Sequence, residues 1–443
     1  MLYFEVAPKA AHGRIRMTQA SGAAHGRLGG YELRVLLLLG LAYGFAYFDR
    51  MAMTFLGPLV KADLGLSNEE LGWLGSGLSL TWALGAYFVG RWSDRIGKRK
   101  PFLLAALVVF SLCSVFSGLA WSFGSLLVSR IVMGAAEGPF LPICLAIMVA
   151  ASADSRKGLN AGVVQNVFGS IIGTALAPVV LIAIAEAFDW RAAFFLSGIP
   201  GLVLALLIWR FIREPMDEPA MAVPVQRERF GAMIGSELRE MRGLMATRNI
   251  ALCSLVSVFG VGTVVIGSIF MPLYLDGPRD IEPATWSRIM SVIGFSPAVG
   301  AVSAGLLSER IGRKPALVLF CALFAISPAA LLWLDASPVV LAMALFVSWM
   351  GLGSFPLFMG VIPAETLGQA RAATAMGAVV AVGEIFGGFA LPPLTGRLAD
   401  SFSLDFALYA QLICGVLAAL VALFVAETNP RFASNRNERM APQ

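Results

Sequence analysis

The chain has 443 residues, 58% of them hydrophobic and only 14% charged, with a mean hydropathy of +0.78. A soluble protein carries about 25% charged residues, so the composition excludes a soluble fold and fits an all-α polytopic membrane protein. The formal net charge of +5 does not point to nucleic acid, because the basic residues are spread through short loops on one side of the membrane.

Residues 1–32 form a polar tail that holds both histidines, His12 and His25. The tail has no apolar stretch of the kind a cleavable signal peptide needs, so the first span is expected to act as its own insertion signal. A spanning helix needs about 20 apolar residues, and the first candidate covers 33–56. Within it, YGFAYFDRMAMTFLGP (43–58) sets an acid and a base, Asp49 and Arg50, in an apolar run. At mid-bilayer each such residue costs roughly 2.5–3.5 kcal/mol, so something must offset the pair. The second span, 71–90, carries Tyr87, and the third covers 101–120. The fourth, 124–149, contains SRIVMGAAEGPF (129–140), with Arg130 and Glu137 seven residues apart. That spacing is two turns on one face, about 10 Å along the axis. Gly134 and Gly138 form a small-xxx-small pair suited to close helix packing. The fifth span, 159–185, brings Gln165 and Asn166, and DWRAAFF (189–195) leads into the sixth, 192–212.

A polar stretch, 213–248, divides six spans from six: 249–275, 288–308, 316–334, 338–362, 372–395 and 406–426, before a tail at 427–443. The second half offers Tyr274, Ser291, Ser348, Ser354, Trp349, Phe355 and Phe358, a largely apolar set. The eleventh span holds GEIFGG (383–388) with Glu384. Three roles are open to that acid: a second proton site, a contact to a cationic or hydroxyl group of the cargo, or a neutral hydrogen-bond donor between helices. The five cysteines all fall in apolar runs without a C-x-x-C pair and read as packing residues.

With the N-terminus inside, Lys61, Arg191, Arg279, Arg288 and Arg397 are the basic residues left to external loops, and both termini are therefore expected in the cytoplasm. The short external loops and the lack of any N-x-[ST] sequon favour a bacterial inner membrane. GRWSDRIGKRK (90–100) returns as GLLSERIGRKP (305–315), 215 residues later. The same offset carries Gly85 onto Gly300, Gly173 onto Gly388 and ALAP (175–178) onto ALPP (390–393). Two copies of a six-helix unit in one orientation imply a pseudo-twofold axis along the membrane normal, with a binding site between the halves.

The doubled loop is a candidate conformational latch: Gly90, Asp94, Arg95, Gly97 and Arg99 in the first copy, Gly305, Glu309, Arg310, Gly312 and Arg313 in the second. Gly97 and Gly312 permit the chain reversal, and Asp94 and Glu309 can face a helix N-terminus or a neighbouring arginine. The loop lacks the G-x-x-x-x-G-K-[ST] spacing, so no ATP is expected. With no nucleophile–base or metal constellation, neither an enzyme nor a cofactor is expected either.

The twelve spans, the central loop and the twin G-x-x-x-[DE]-R-x-G-[RK]-[RK] loops resemble the major facilitator superfamily. The resemblance implies two six-helix bundles rocking around a central cavity, and a monomer. With both acids ionised, the formal charges of Asp49, Arg50, Arg130 and Glu137 cancel. With both protonated, two positive charges remain, and such a cavity holds an anion best when protons have bound. Alternatively, the four form a static network locking the first span to the fourth. Y-x-D-R (Tyr47, Asp49, Arg50) and R-x-x-x-G-x-x-E-G (Arg130, Gly134, Glu137, Gly138) resemble the anion:cation symporters, which include galactonate, hexuronate and phthalate permeases and sialin-like carriers. That resemblance implies proton sites at Asp49 and Glu137 and carboxylate binding or gating at Arg50 and Arg130. Tyr43, Tyr47, Tyr87, Gln165, Asn166 and Trp349 are candidates for the remaining substrate contacts; unlike the sugar-acid permeases, the seventh span lacks amide side chains for gripping several hydroxyls, and the apolar second-half wall suits an aromatic or lightly hydroxylated acid. Spinster-type lipid exporters share the D-R and R-x-x-x-G-x-x-E elements, so export of amphipathic lipids or drugs by proton antiport is the alternative. The expected partners are thus a small organic anion, protons and the lipid bilayer.

Overall fold

The computed structural model describes residues 29–214, 239, 241–368 and 371–432. Most of the two expected tails and of the 213–248 loop lie outside the described residues, as do the side chains of Asp94 and Arg95. Among the described residues, eleven helical segments are long and apolar enough to cross a membrane. In chain order they are α1 (Gly30–Leu64), α3 (Lys100–Gly118), α4 (Phe123–Ala151), α5 (Asp154–Ala187), α6 (Trp190–Phe211), α7 (Arg248–Asp276), α8 (Pro283–Ile311), α9 (Arg313–Trp333), α10 (Pro338–Leu367), α11 (Thr374–Ser401) and α12 (Asp405–Ala422). The twelfth, α2 (Asn68–Ile96), is long enough to span but less apolar. Gly72, Ser76, Gly77, Ser79 and Gly85 of this helix are buried against its neighbours, whereas Trp73 and Trp92 are exposed.

Several helices run past the limits that hydropathy gives. Helix α1 continues to Leu64 because Lys61 and Asp63 find partners beyond the apolar stretch. Its end is set by Gly65, which closes the helix in the left-handed region at φ 64°. Two residues on, Ser67 opens α2 with a capping box: its hydroxyl accepts from the Glu70 N–H at 3.1 Å, and the Glu70 carboxylate accepts from the Ser67 N–H at 2.9 Å.

The internal repeat is visible in the packing. A Cβ at Gly85 would strike the backbone carbonyl of Ala135, and one at Gly300 would strike that of Met350. Both partners of this α2–α4 contact reappear 215 residues later in the α8–α10 contact. Gly134 and Gly138 likewise seat α4 against the carbonyls of Leu78 and Trp82 on α2. The repeat-related helices α5 and α11 both widen into π-helical turns, at Val163–Leu176 and Gly383–Ala390. Such turns are frequent at functional sites, and no periodicity in the sequence announces them.

Three apolar cores form. One lies wholly in the N-terminal half around Leu39, Phe110 and Met148, and one wholly in the C-terminal half around Val256, Phe320 and Phe358. The third joins the halves at the end where α2 begins, through Phe55, Leu74, Phe270 and Trp286. The hydrogen bonds that cross between halves gather at this same end. Asn68 and Glu69 N–H groups donate to Asp400 Oδ1 and Oδ2, each at 2.9 Å. Thr174 Oγ1 donates to the Gly294 carbonyl at 2.7 Å, and Ser291 Oγ to that of Ala175 at 2.6 Å. The halves are therefore closed together at one end and separated toward the basic-loop end.

Candidate functional site

The face of α1 decides the site. Tyr43, Tyr47, Arg50, Thr54 and Gly57 recur at spacings of four and three, one helical stripe, and all line a central cavity of about 580 Å³ between the halves. Asp49 is one residue away, about 100° around the helix, and points back into the N-terminal bundle with no exposure. The neighbouring charges thus face different surroundings. Arg50 lies over the Trp82 ring at 5.2 Å, in cation–π contact. Asp49 accepts from Ser114 on α3 and from Ser197 on α6, the latter at 2.9 Å, and the two serines share a hydrogen bond of 2.7 Å.

Arg130 on α4 lines the cavity yet is only 1% exposed. Its Nη2 donates to Ser117 Oγ, and its guanidinium lies 5.5 Å from the centre of the Phe194 ring. Its Nε and Nη1, Asp49 Oδ2 and Glu137 Oε1 are buried without a protein partner. Each such group costs about 1–3 kcal/mol unless satisfied. Glu137 does not reach the cavity wall; it stands behind it, within electrostatic reach of Arg50, Asp49 and Arg130. Among the described residues none of the four forms an ion pair. A locked salt-bridge network between the first and fourth spans is therefore not what the structure contains. The charges balance through a low-dielectric interior, where they act over longer distances than in water.

The remaining candidates divide. Tyr43 and Tyr47 stack at 6.2 Å between ring centres and lean on Gly169 and Gly173 of α5, while Gln165 and Asn166 stand exposed on the widened turns of that helix. Trp349 lines the opposite wall with its indole nitrogen unpartnered. Tyr87 is not in the central cavity: it borders a second, apolar space of about 660 Å³ between α2 and helices α10 and α11. Its position nearer the basic-loop end of α2 carries it past the cavity. Glu384 borders both spaces, and no hydrogen bond or ion pair ties it to another described residue. Among the described residues it makes no hydrogen bond between helices. The central cavity is polar on the N-terminal side and apolar on the other, where Val261, Val264, Val265, Ile269 and Phe355 face it. Of the second-half polar candidates, Ser291, Ser348 and Ser354 spend their hydroxyls on backbone carbonyls, and Tyr274 bonds to Asp405.

In the doubled loop, Gly97 ends α2 at φ 68° and Gly312 breaks the chain at φ 103°. Arg313 pairs with Glu309 at 2.7 Å and with Glu365 at 3.0 Å. Gly90 and Gly305 have open space where a Cβ would sit, and Arg310 is exposed. The first turn of α3 is capped by Glu214, which accepts from the N–H groups of Arg99 and Lys100, the latter at 3.2 Å. Glu427 does the same for Arg313 and Lys314, at 2.8 and 3.0 Å. Sequence reasoning missed both acids, although each lies just beyond the last span of its half. It also missed Ser114, Ser117 and Ser197, whose partners are remote in sequence. DWRAAFF is a clamp: Asp189 caps α6, while Trp190 Nε1 and Arg191 both bind Asp63 at the end of α1, at 3.2 and 2.7 Å.

The chain matches the family described as Major Facilitator Superfamily over residues 39–390 and again over 280–442. It is 28% identical to a hexuronate transporter of Bacillus subtilis over 64% of this chain and 66% of that protein. It is 24% identical to a 3-(3-hydroxy-phenyl)propionate transporter of Escherichia coli over 88% of this chain and 94% of that protein. The fold is similar to that of a bacterial homolog of the human lysosomal transporter Spinster in an inward-facing and occupied conformation, with a TM-score of 0.71 at 18% identity over 94% of this chain and 100% of that one. Twelve membrane-length helices among the described residues, in two repeated sets of six, a cavity between them and a family match covering nearly the whole sequence lead to one conclusion: the chain belongs to the Major Facilitator Superfamily, and is a multi-pass membrane transporter rather than an enzyme.

Proposed function

We propose that this transporter imports an organic carboxylate together with protons, by alternating access between bundles at 33–212 and 249–426. The observation that carries the reading is the pair of cavity-wall guanidinium groups, Arg50 and Arg130, with unpartnered N–H groups on Arg130 and two buried acids immediately behind. A carboxylate drawn to Arg50 on the cavity wall comes beside the unused, buried donors of Arg130 and reaches them by a turn of that side chain, and an arginine fork suits it bidentately. Protonation of Asp49 and Glu137 would leave the two positive charges unopposed and strengthen that hold, and proton release would weaken it. Asp49 acts on Arg130 through the bundle interior, since it does not border the cavity. A cavity of about 580 Å³ suits a small or medium-sized metabolite. The relatives named for hexuronate and 3-(3-hydroxy-phenyl)propionate agree with a carboxylate cargo.

Basic loops on the inside orient the chain with both termini in the cytoplasm of a bacterium and the closed end outward. The described state is then inward-facing, with the Glu309–Arg313–Glu365 cluster on the cytoplasmic side as the latch that rearranges in the other state. The protein acts as a monomer in the inner membrane. Export of an amphipathic molecule is the second reading, favoured by the apolar space beside α2. Thermal shift of the purified protein against sugar acids, aromatic acids and their neutral amides separates the two. Stabilisation by acids and not by amides is expected. Stabilisation by long-chain amphiphiles alone would overturn the carboxylate reading.

A further inference from the structure

The C-terminal wall of the cavity carries one ionisable side chain among the described residues, Glu384, and the rest of that wall is almost wholly apolar. Glu384 lies on a π-helical turn of α11. Its Oε2 is held toward Gly388, where an added Cβ would stand 2.8 Å from it. The half-buried carboxylate makes no hydrogen bond or ion pair to another described residue, and Arg50 on the facing half is within electrostatic reach. The proton-coupling reading uses acids behind the N-terminal wall and gives this one no task. An unpartnered carboxylate across from a bound carboxylate adds like charge and an unused acceptor. A hydrogen-bond donor on the cargo satisfies that acceptor.

We infer that Glu384 is a specificity-determining residue: the cargo is a carboxylic acid with an apolar, ring-sized body and a hydroxyl or N–H donor at its far end. Its carboxylate sits on Arg50 and Arg130, its body against Val261, Val265 and Phe355, and its donor on Glu384. This rests on the carboxylate reading above and adds to it the polarity of the cargo's other end. A site that hydrogen-bonds a substrate hydroxyl rejects the analogue lacking it, because the acceptor is then covered by the ligand and left without a partner.

The test is calorimetric binding of 3-(3-hydroxyphenyl)propionate and 3-phenylpropionate to the purified full-length protein at one pH. The wild type is expected to prefer the hydroxylated acid by at least about tenfold, as befits a hydrogen bond to a charged group. Glu384→Leu erases the preference and, having lost the like charge and the unused acceptor, binds 3-phenylpropionate more tightly than the wild type does; a thermal unfolding transition at the parent's temperature shows that the variant is folded. Gly388→Ala, which displaces the carboxylate, narrows the preference without removing charge. Equal binding of the two acids by the wild type, or an undiminished preference in Glu384→Leu, overturns the assignment and leaves carboxylate transport standing. Failure of either acid and of the sugar acids to bind at all overturns both.

Discussion

Asp400 on α11 receives the first two N–H groups of α2 from the opposite half, each at 2.9 Å. It serves as an N-terminal cap supplied across the closed end. Asp400 ties one half to the other and belongs to neither half's own apolar core, so its removal should tilt the conformational equilibrium rather than unfold the protein. Losing a cap costs about 0.5–2 kcal/mol, part of it from the helix dipole. Asp400 is exposed, so solvent screening holds the effect within that range. At 1.36 kcal/mol per factor of ten, Asp400→Ala should raise the open-to-closed ratio at this end about 2- to 30-fold. The neighbouring contacts at Thr174 and Ser291 are untouched and prevent a complete shift. The assay is the rate at which a membrane-impermeant maleimide modifies a cysteine placed at Leu71, which lines the cavity near this closure, in right-side-out vesicles. The five native cysteines are buried and leave a low background. Faster labelling in Asp400→Ala, with Asp400→Asn between it and the parent, is the expected result. Equal labelling rates in all three would refute the view that this contact holds the end shut.

Further expectations concern the cavity and the scaffold. Glu137→Gln should abolish accumulation of carboxylate driven by a pH gradient while sparing exchange of labelled for unlabelled substrate; a variant that still accumulates shows that Glu137 is not a coupling acid. Arg130→Lys keeps a positive charge but loses the fork and should weaken carboxylate binding about 10- to 150-fold, the size of one charged hydrogen bond; an unchanged affinity would free Arg130 from substrate contact. Gly138→Ala drives a Cβ into the Trp82 carbonyl and should lower the stability of the protein in detergent by roughly 1–3 kcal/mol, so a melting temperature equal to the parent's would contradict the packing. Glu427→Ala strips two caps from α9 and should cost about 0.5–2 kcal/mol, measured by the same thermal scan.

Much of the architecture is legible in composition and spacing. Apolar length marks the spans, and the recurrence of GRWSDRIGKRK as GLLSERIGRKP exposes the duplication, since a loop that must reverse tightly between charged ends tolerates few alternatives. Asp49, Arg50, Arg130 and Glu137 stand out because charge is rare in such segments. Their division of labour is harder to read. It depends on helical phase: the stripe Tyr43, Tyr47, Arg50, Thr54 marks the cavity face of α1, and Asp49 lies off it. A helical projection of that one span would have found it. The serines around Asp49 and Arg130 come from helices distant in sequence, and no local pattern reports them. The π-helical turns of α5 and α11 carry glycines that pack closely on α1 and α7. They move Glu384 to a wall shared by two spaces, which spacing alone does not reveal.

The coupling of protons to the cargo is tested most directly by proteoliposomes loaded with a pH-sensitive dye, with no initial pH gradient. On addition of an aromatic or sugar acid that binds the purified protein, the lumen should acidify in step with uptake of the acid. Glu137→Gln vesicles should show neither acidification nor net uptake. Net accumulation of the acid with no proton movement would contradict the account.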